Sequence, residues 1–159
     1  LLIITGGWPN VGIAEAIGEF RSYDKRFQPT KNPKGYVVID DTYNANPSSM
    51  QWAIRTLAAL PGKGKKVAVL GGMKELGEES VRYHRELGAY LRKAGIGLVV
   101  LFGEETKDTL KELGDMAAVH FDNKEELIGY VASNAEEGDT ILVKGSRAFE
   151  MEEIVEALE

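Results

Sequence analysis

Five short, continuous apolar runs punctuate the chain: Tyr36–Ile39, Lys66–Leu70, Leu98–Phe102, Ala118–Phe121 and Thr140–Val143. None alternates strictly between apolar and polar, so each is expected as a strand covered on both faces, the situation of a parallel sheet. Between the runs the period changes to that of a helix. Met50, Ala53, Ile54, Leu57 and Ala58 fall at i, i+3, i+4, i+7 and i+8, which lays one apolar stripe against a sheet. Asn46 before Pro47 reads as an N-cap and first helical residue, because proline has no N–H to lose there. His84, Leu87, Gly88 and Leu91 make a second stripe within residues 78–94, ended by Gly95. Further helices fit residues 105–113, 123–134 (capped by Asp122 or Asn123) and 148–158. The alternation of strand and helix predicts an α/β fold: a doubly wound, mostly parallel sheet of five to six strands with helices on both faces and right-handed crossovers.

The opening of the chain breaks this rhythm. Val11 to Phe20 reads as a short helix through Ile13, Ala16, Ile17 and Phe20, and Arg21 to Gly35 is polar with Pro29 and Pro33, a linker composition. A boundary is therefore expected near residue 30, with residues 1–30 as the tail of a preceding domain plus linker and residues 31–159 as the domain itself. No internal repeat or low-complexity tract appears.

Composition narrows the function classes. The 159 residues carry 19 Lys and Arg against 25 Asp and Glu, a formal charge of −6, so neither nucleic acid nor a membrane surface is the expected partner. With 43% hydrophobic and 28% charged residues the chain reads as globular. The absence of cysteine removes disulfides, thiolate zinc sites and thiol nucleophiles and fits a reducing, cytoplasmic setting. His84 and His120 alone make no histidine-rich metal site. Leu1–Ile4 is too short for a membrane span, and no basic leader precedes it. The chain starts at Leu1 rather than Met, so it is expected to be a piece of a longer protein, with part of any active site elsewhere.

In an open α/β sheet, ligands bind beyond the carboxyl ends of the strands. Three loops there have unusual composition. Asp40-Asp41-Thr42-Tyr43-Asn44-Ala45-Asn46-Pro47 follows the first run. Successive strand residues point to opposite faces, so one of the two carboxylates faces a given ligand. Such a carboxylate accepts hydrogen bonds from ribose hydroxyls and Asn44 offers both donor and acceptor, although Asp, Asn and Pro also build ordinary turns. Gly71-Gly72-Met73-Lys74-Glu75-Leu76-Gly77-Glu78-Glu79-Ser80 contains neither a dinucleotide fingerprint nor a P-loop, which leaves a substrate-contacting loop or a plain turn. Lys144-Gly145-Ser146-Arg147-Ala148-Phe149 opens the last helix and combines free N–H groups with two cations, a receptor for carboxylate or phosphate or else a solvated turn. His84 lies on the apolar stripe of its helix, where a hydrogen-bonded core or interface role competes with a catalytic one. Trp8, Trp52 and the phenylalanines are expected to pack, and Glu152, Glu153 and Glu156 to form an exposed helix face.

The run Val38-Ile39-Asp40-Asp41-Thr42-Tyr43-Asn44-Ala45-Asn46-Pro47-Ser48-Ser49-Met50 resembles the opening of the C-terminal domain of the Mur ligases. It is closest to the MurF type, which adds D-alanyl-D-alanine to UDP-N-acetylmuramoyl-tripeptide. The later stretches Leu70–Ser80, followed by His84, and Lys144–Arg147 resemble two further features of that type in the right order, and the resemblance runs from Gly12 to the end of the chain. It implies a Rossmann-like domain of an ATP-dependent amide ligase of peptidoglycan synthesis. A carboxylate is activated as an acyl phosphate and then attacked by the amine of D-alanyl-D-alanine. By position, Asp41 would hold the ATP ribose, Asn44 would sit near the nucleotide, and Arg26 would match the linker arginine that reaches the ATP phosphates. Lys144, Ser146 and Arg147 would hold the carboxylate of the dipeptide, with Met73 and Glu75 of the second loop beside it. Residues 12–20 would be the last helix of a central domain. Two positions depart from the pattern: Lys25 stands where the family has Gly before the arginine, and Gly72 where it has Asp. The P-loop lysine, the magnesium ligands (for ATP with Mg2+) and the UDP-sugar domain have no match in this sequence, so the chain by itself is expected to be inactive. Other ligands of the same chemistry define the competing readings: a folylpolyglutamate- or cyanophycin-type ligase, or a free-standing nucleotide- or peptide-binding module.

Overall fold

The five expected strands all form, and a sixth joins them. The computed structural model describes residues 25–159, so the expected helix over Val11–Phe20 and the packing of Trp8 lie outside the described residues. In chain order the elements are β1 (Gln28–Lys31), β2 (Val37–Asp41), α1 (Pro47–Ala59), β3 (Lys66–Gly71), α2 (Ser80–Leu91), β4 (Leu98–Phe102), α3 (Thr106–Lys111), β5 (Ala118–Phe121), α4 (Lys124–Asn134), β6 (Thr140–Lys144) and α5 (Glu152–Leu158). The strands lie in one sheet in the order β1-β2-β6-β3-β4-β5, antiparallel only between β1 and β2.

β1 occupies the segment whose composition reads as linker. It is mostly exposed and contains Pro29, opposite Ile39. A proline cannot donate to a ladder, so such a strand is tolerated only at an edge. The turn that returns it to β2 is Asn32-Pro33-Lys34-Gly35, where Asn32 Oδ1 accepts from the Lys34 N–H at 2.7 Å and Gly35 takes a φ of +94°. That dense turn signature is the sequence feature that announces a hairpin.

Side chains divide between two layers. On one face Val37, Ile39, Ala68, Leu70, Val99, Leu101 and Leu142 pack against α1, α2 and the end of α3. On the other, Val38, Val67, Val69, Val100, Ile141 and Val143 pack against α4 and α5. Both faces of the central strands are thus dry, which is why their sequences are continuous apolar runs.

α1 starts as its sequence demands. Asn46 Oδ1 accepts from the Ser49 N–H at 2.8 Å, and Ser49 Oγ accepts from the Asn46 N–H at 3.0 Å, a reciprocal capping box with Pro47 beside it. Asn123 rather than Asp122 caps α4, accepting from the Glu126 N–H. Asn46→Ala is expected to lower folding stability by about 1 kcal/mol, the usual worth of an N-cap. An unchanged urea-unfolding midpoint would show that Pro47 alone sets the helix start.

Candidate functional site

β6 is the last strand in the chain, yet it lies between β2 and β3. Its insertion brings the loops after β2, β6 and β3 side by side, although more than 60 residues separate the last two in sequence. The chain leaves β2 and β3 toward the α1 and α2 layer but leaves β6 toward α5, and adjacent strands whose exits diverge open a crevice at their carboxyl ends.

Backbone contact locks two of these strand ends together. A Cβ placed on Gly145 would stand 3.0 Å from Gly71 Cα and 2.8 Å from Met151 Cγ, so any side chain here would push β6 from β3. Ser146 then ties all three loops. Its N–H donates to Gly72 O at 3.0 Å, its hydroxyl donates to Ala45 O at 3.3 Å, and its Oγ accepts from the Lys74 N–H at 2.9 Å.

Of the two carboxylates that end β2, Asp41 lies on the face of Val37 and Ile39, covered by α1, and Asp40 on the face of Val38, covered by α5. Asp40 closes its own turn, accepting from both the N–H and the hydroxyl of Thr42. Asp41 is only 7% exposed, with Oδ2 2.8 Å from Lys144 Nζ and Oδ1 accepting from the Phe27 N–H at 3.2 Å. Burial pushes its carboxyl above the usual range, and the Lys144 ammonium and the Phe27 N–H pull it partly back. Lys144 is itself 2% exposed, and donates also to Asn44 O at 2.9 Å and more weakly to Asp41 O at 3.5 Å. All its donors therefore face acceptors of this domain, and the residue clamps the β2 loop onto β6.

Two cavities open on this platform. The first, of about 420 Å³, is lined by Arg26, Phe27, Asp41, Tyr43, Asn44, Asn46, Ser49, Trp52 and Lys144. The second, of about 380 Å³, is lined among others by Lys74, Glu75, Ser146 and Arg147 and shares the wall Tyr43, Asn44 and Asn46 with the first. Arg26, Asp41 and Asn44 thus meet at one cavity, and Glu75, Ser146 and Arg147 at the other. Lys144 opens onto the first, not the second. Met73 reaches neither: its side chain is 1% exposed in the core, and its contribution to the loop is its backbone.

That backbone explains His84. The Met73 N–H donates to His84 Nε2 at 3.0 Å and Nδ1 lies 2.8 Å from Ser80 O, which assigns the ring proton to Nδ1. At 1% exposure the ring is the hydrogen-bonded core histidine that its helical position allows, and it pins the second loop from below. Glu75, next in that loop, is exposed at a φ of +62°, a left-handed conformation costly for a residue with a Cβ.

Some neighbours were not legible as site residues. Trp52 does not pack fully: it is 41% exposed, edge-to-face with Phe27 at 5.2 Å, on the wall of the first cavity. Glu152 is no free surface charge but pairs with Lys25 at 3.0 Å. Lys25 takes a φ of +56°, the region that favours the glycine usual at that place in the resembled family. At Gly72, a Cβ would stand 2.9 Å from Phe149 Cζ and 3.2 Å from Glu105 Cβ, so the Phe149 ring fills the room an aspartate would need. Lys74, which pairs with Glu105 and lies 4.9 Å from the Phe149 ring centre, borders the second cavity.

An open, mostly parallel sheet with two adjoining cavities at a strand-order reversal defines a doubly wound α/β domain whose crevice lies at the carboxyl ends of its strands. The chain belongs to the Mur ligase family, matching the model described as "Mur ligase, glutamate ligase domain" over residues 25–147. It is 36% identical to the UDP-N-acetylmuramoyl-tripeptide–D-alanyl-D-alanine ligase of Bacillus subtilis (strain 168) over 149 residues, 91% of this chain and 33% of that protein. The enzyme of the same name from Escherichia coli (strain K12) is 36% identical over 151 residues, 92% of this chain and 32% of that protein. The crystal structure of MurF ligase from Thermotoga maritima in complex with ADP superimposes with a TM-score of 0.75 at 31% identity, covering 92% of this chain and 35% of that one. The chain therefore spans about a third of the length of these relatives. A folylpolyglutamate synthase/dihydrofolate synthase at 18% identity and a TM-score of 0.60 shares the fold alone. Among the described residues no helix is long and apolar enough to cross a membrane.

Proposed function

We propose that this chain is the C-terminal part of an ATP-dependent amide ligase that joins D-alanyl-D-alanine to UDP-N-acetylmuramoyl-tripeptide in the cytoplasm. The observation that carries the reading is the pair of cavities sharing the Tyr43, Asn44 and Asn46 wall, which would present a nucleotide and an amine side by side. The names of the relatives and the ADP complex of the Thermotoga enzyme support the substrates.

In this reading the first cavity takes ATP. Asp41 receives the ribose hydroxyls: both its oxygens already accept one hydrogen bond, but each keeps a further lone pair. Asn44 stands beside it, and Arg26 faces the phosphates. The second cavity takes the zwitterionic dipeptide, with Arg147 for its carboxylate and Glu75 at the amine end. Lys144 and Ser146 act differently from a direct grip on the dipeptide: they hold Asp41, Asn44 and Lys74 in place. The acceptor carboxylate takes the γ-phosphoryl group, releasing ADP, and the dipeptide amine then attacks the acyl carbon and expels inorganic phosphate. Mg2+ would balance charge on the transferring phosphates. Among the described residues no cluster of His, Cys, Asp and Glu suits a metal, so this reading places the magnesium ligands, like the UDP-sugar site, in other domains of the same protein.

The test is phosphate release by the full-length protein. It should require ATP, the UDP-linked tripeptide and D-alanyl-D-alanine together. Turnover with free glutamate in place of the dipeptide, and none with the dipeptide, would transfer the chain to another branch of the family.

A further inference from the structure

Arg26 is presented with unusual care for an exposed side chain. The residues on both sides of it, Lys25 and Phe27, adopt left-handed backbone with φ of +56° and +54°, a conformation that non-glycine residues hold only when their surroundings impose it. The surroundings are visible. Lys25 O accepts from the Tyr43 N–H at 3.0 Å and its ammonium pairs with Glu152 at 3.0 Å, while the Phe27 N–H donates to Asp41 and its ring meets Trp52. The backbone of Arg26 is thus fastened to β2, α1 and α5. Its guanidinium lies over the Tyr43 ring at 4.4 Å and makes no ion pair with any described residue. A guanidinium carries five N–H donors, more than one ring face can engage, so donors remain free beside the cation–π contact.

We infer that Tyr43 is a positioning residue whose ring holds the Arg26 guanidinium at the first cavity with its donors available to the phosphates of a bound nucleotide. This rests on the nucleotide reading of that cavity. Tyr43 is suited to the task and to little else: it is 47% exposed, belongs to neither core layer, and borders both cavities. Its hydroxyl has no hydrogen-bond partner among the described residues, so the ring rather than the phenol performs the function. Arginine without the ring would sample many rotamers, and ordering it would be charged against nucleotide binding.

The experiment is calorimetric titration of the full-length protein with ADP and with adenosine. Tyr43→Leu should weaken ADP binding about threefold, the scale of one exposed cation–π contact, and Tyr43→Phe should restore it. Arg26→Gln should cost about tenfold or more, the scale of charge-assisted hydrogen bonds, and the double variant should be no worse than Arg26→Gln alone. Adenosine, which has no phosphate, should bind all of them equally. Additive losses in the double variant, an equal loss of adenosine affinity in Tyr43→Leu, a failure of Tyr43→Phe to restore, or unchanged ADP binding in Tyr43→Leu would each overturn the assignment. Wild-type protein that binds no ADP would instead overturn the nucleotide reading beneath it. Unchanged melting temperatures across the set would confirm that the losses do not come from unfolding.

Discussion

Lys144→Met is expected to lower folding stability by about 3–5 kcal/mol at neutral pH, because it leaves the buried Asp41 carboxylate without its partner. For a single domain that is a large share of the whole, commonly about 5–15 kcal/mol. The pair is close, at 2.8 Å, with side chains only 3% and 10% exposed, so solvent screens it little. The effect depends on pH in a determined direction. Burial raises the Asp41 carboxyl in the folded chain, and Lys144 restrains that rise. A carboxyl raised on folding supports the native state fully while it is protonated, below its unfolded value of about 3.9, and that support is lost as pH climbs through the folded value. Without Lys144 the folded value rises further, so the window of loss widens upward. The variant's deficit against wild type should therefore be small at about pH 4 and large at about pH 7. Urea unfolding at the two conditions measures it. A deficit of equal size at both would mean that lost packing of the lysine stem, not the stranded carboxylate, is responsible.

Arg147→Ala should raise KM for D-alanyl-D-alanine by about 10- to 100-fold in the full-length protein, the worth of about 1.5–3 kcal/mol for hydrogen bonds to a charged group. The cations at these strand ends differ in availability, and only Lys74 and Arg147 border the second cavity. Lys144 is buried and held by Asp41 and Asn44. Lys74 is paired with Glu105 and lies against Phe149. Arg147 is exposed on the cavity wall and forms no ion pair with a described residue. Its planar fork matches a carboxylate, which a lysine does not. The decisive comparison uses the dipeptide with its C-terminus amidated. Wild type should prefer the free acid strongly and Arg147→Ala should scarcely distinguish the two. A variant that keeps the wild-type preference would move carboxylate recognition to another residue.

Most of the architecture is readable without coordinates because it depends on local chemistry. Both-sided burial makes the runs at Val67–Leu70 and Ile141–Val143 continuous, helical contact with a sheet makes the spacing of Met50, Ile54 and Leu57 periodic, and a free helix end selects Asn46 and Pro47. β1 escapes that logic, since an exposed edge strand with Pro29 buries nothing that would mark it. The motif loops were visible as compositions, and the His84 ring as a core residue, but the roles inside the loops were not. Lys144 and Met73 read alike as dipeptide contacts in one dimension, whereas in the fold Lys144 is buried against Asp41 at the first cavity and the Met73 side chain lies in the core, because burial depends on which strands flank β6 and β3.

By itself, then, the sequence determined the alternation of elements, their caps and the unusual composition of the loops at the strand ends, which follow from contacts between near neighbours in the chain, and its motifs gave the family resemblance. Only the tertiary structure decided that β6 inserts between β2 and β3, that Asp41 rather than Asp40 faces the first cavity, and that Tyr43 meets Arg26. Those facts arise from the return of the chain across the sheet after β5, which buries two apolar faces at once. No local pattern of residues records the spatial order that results.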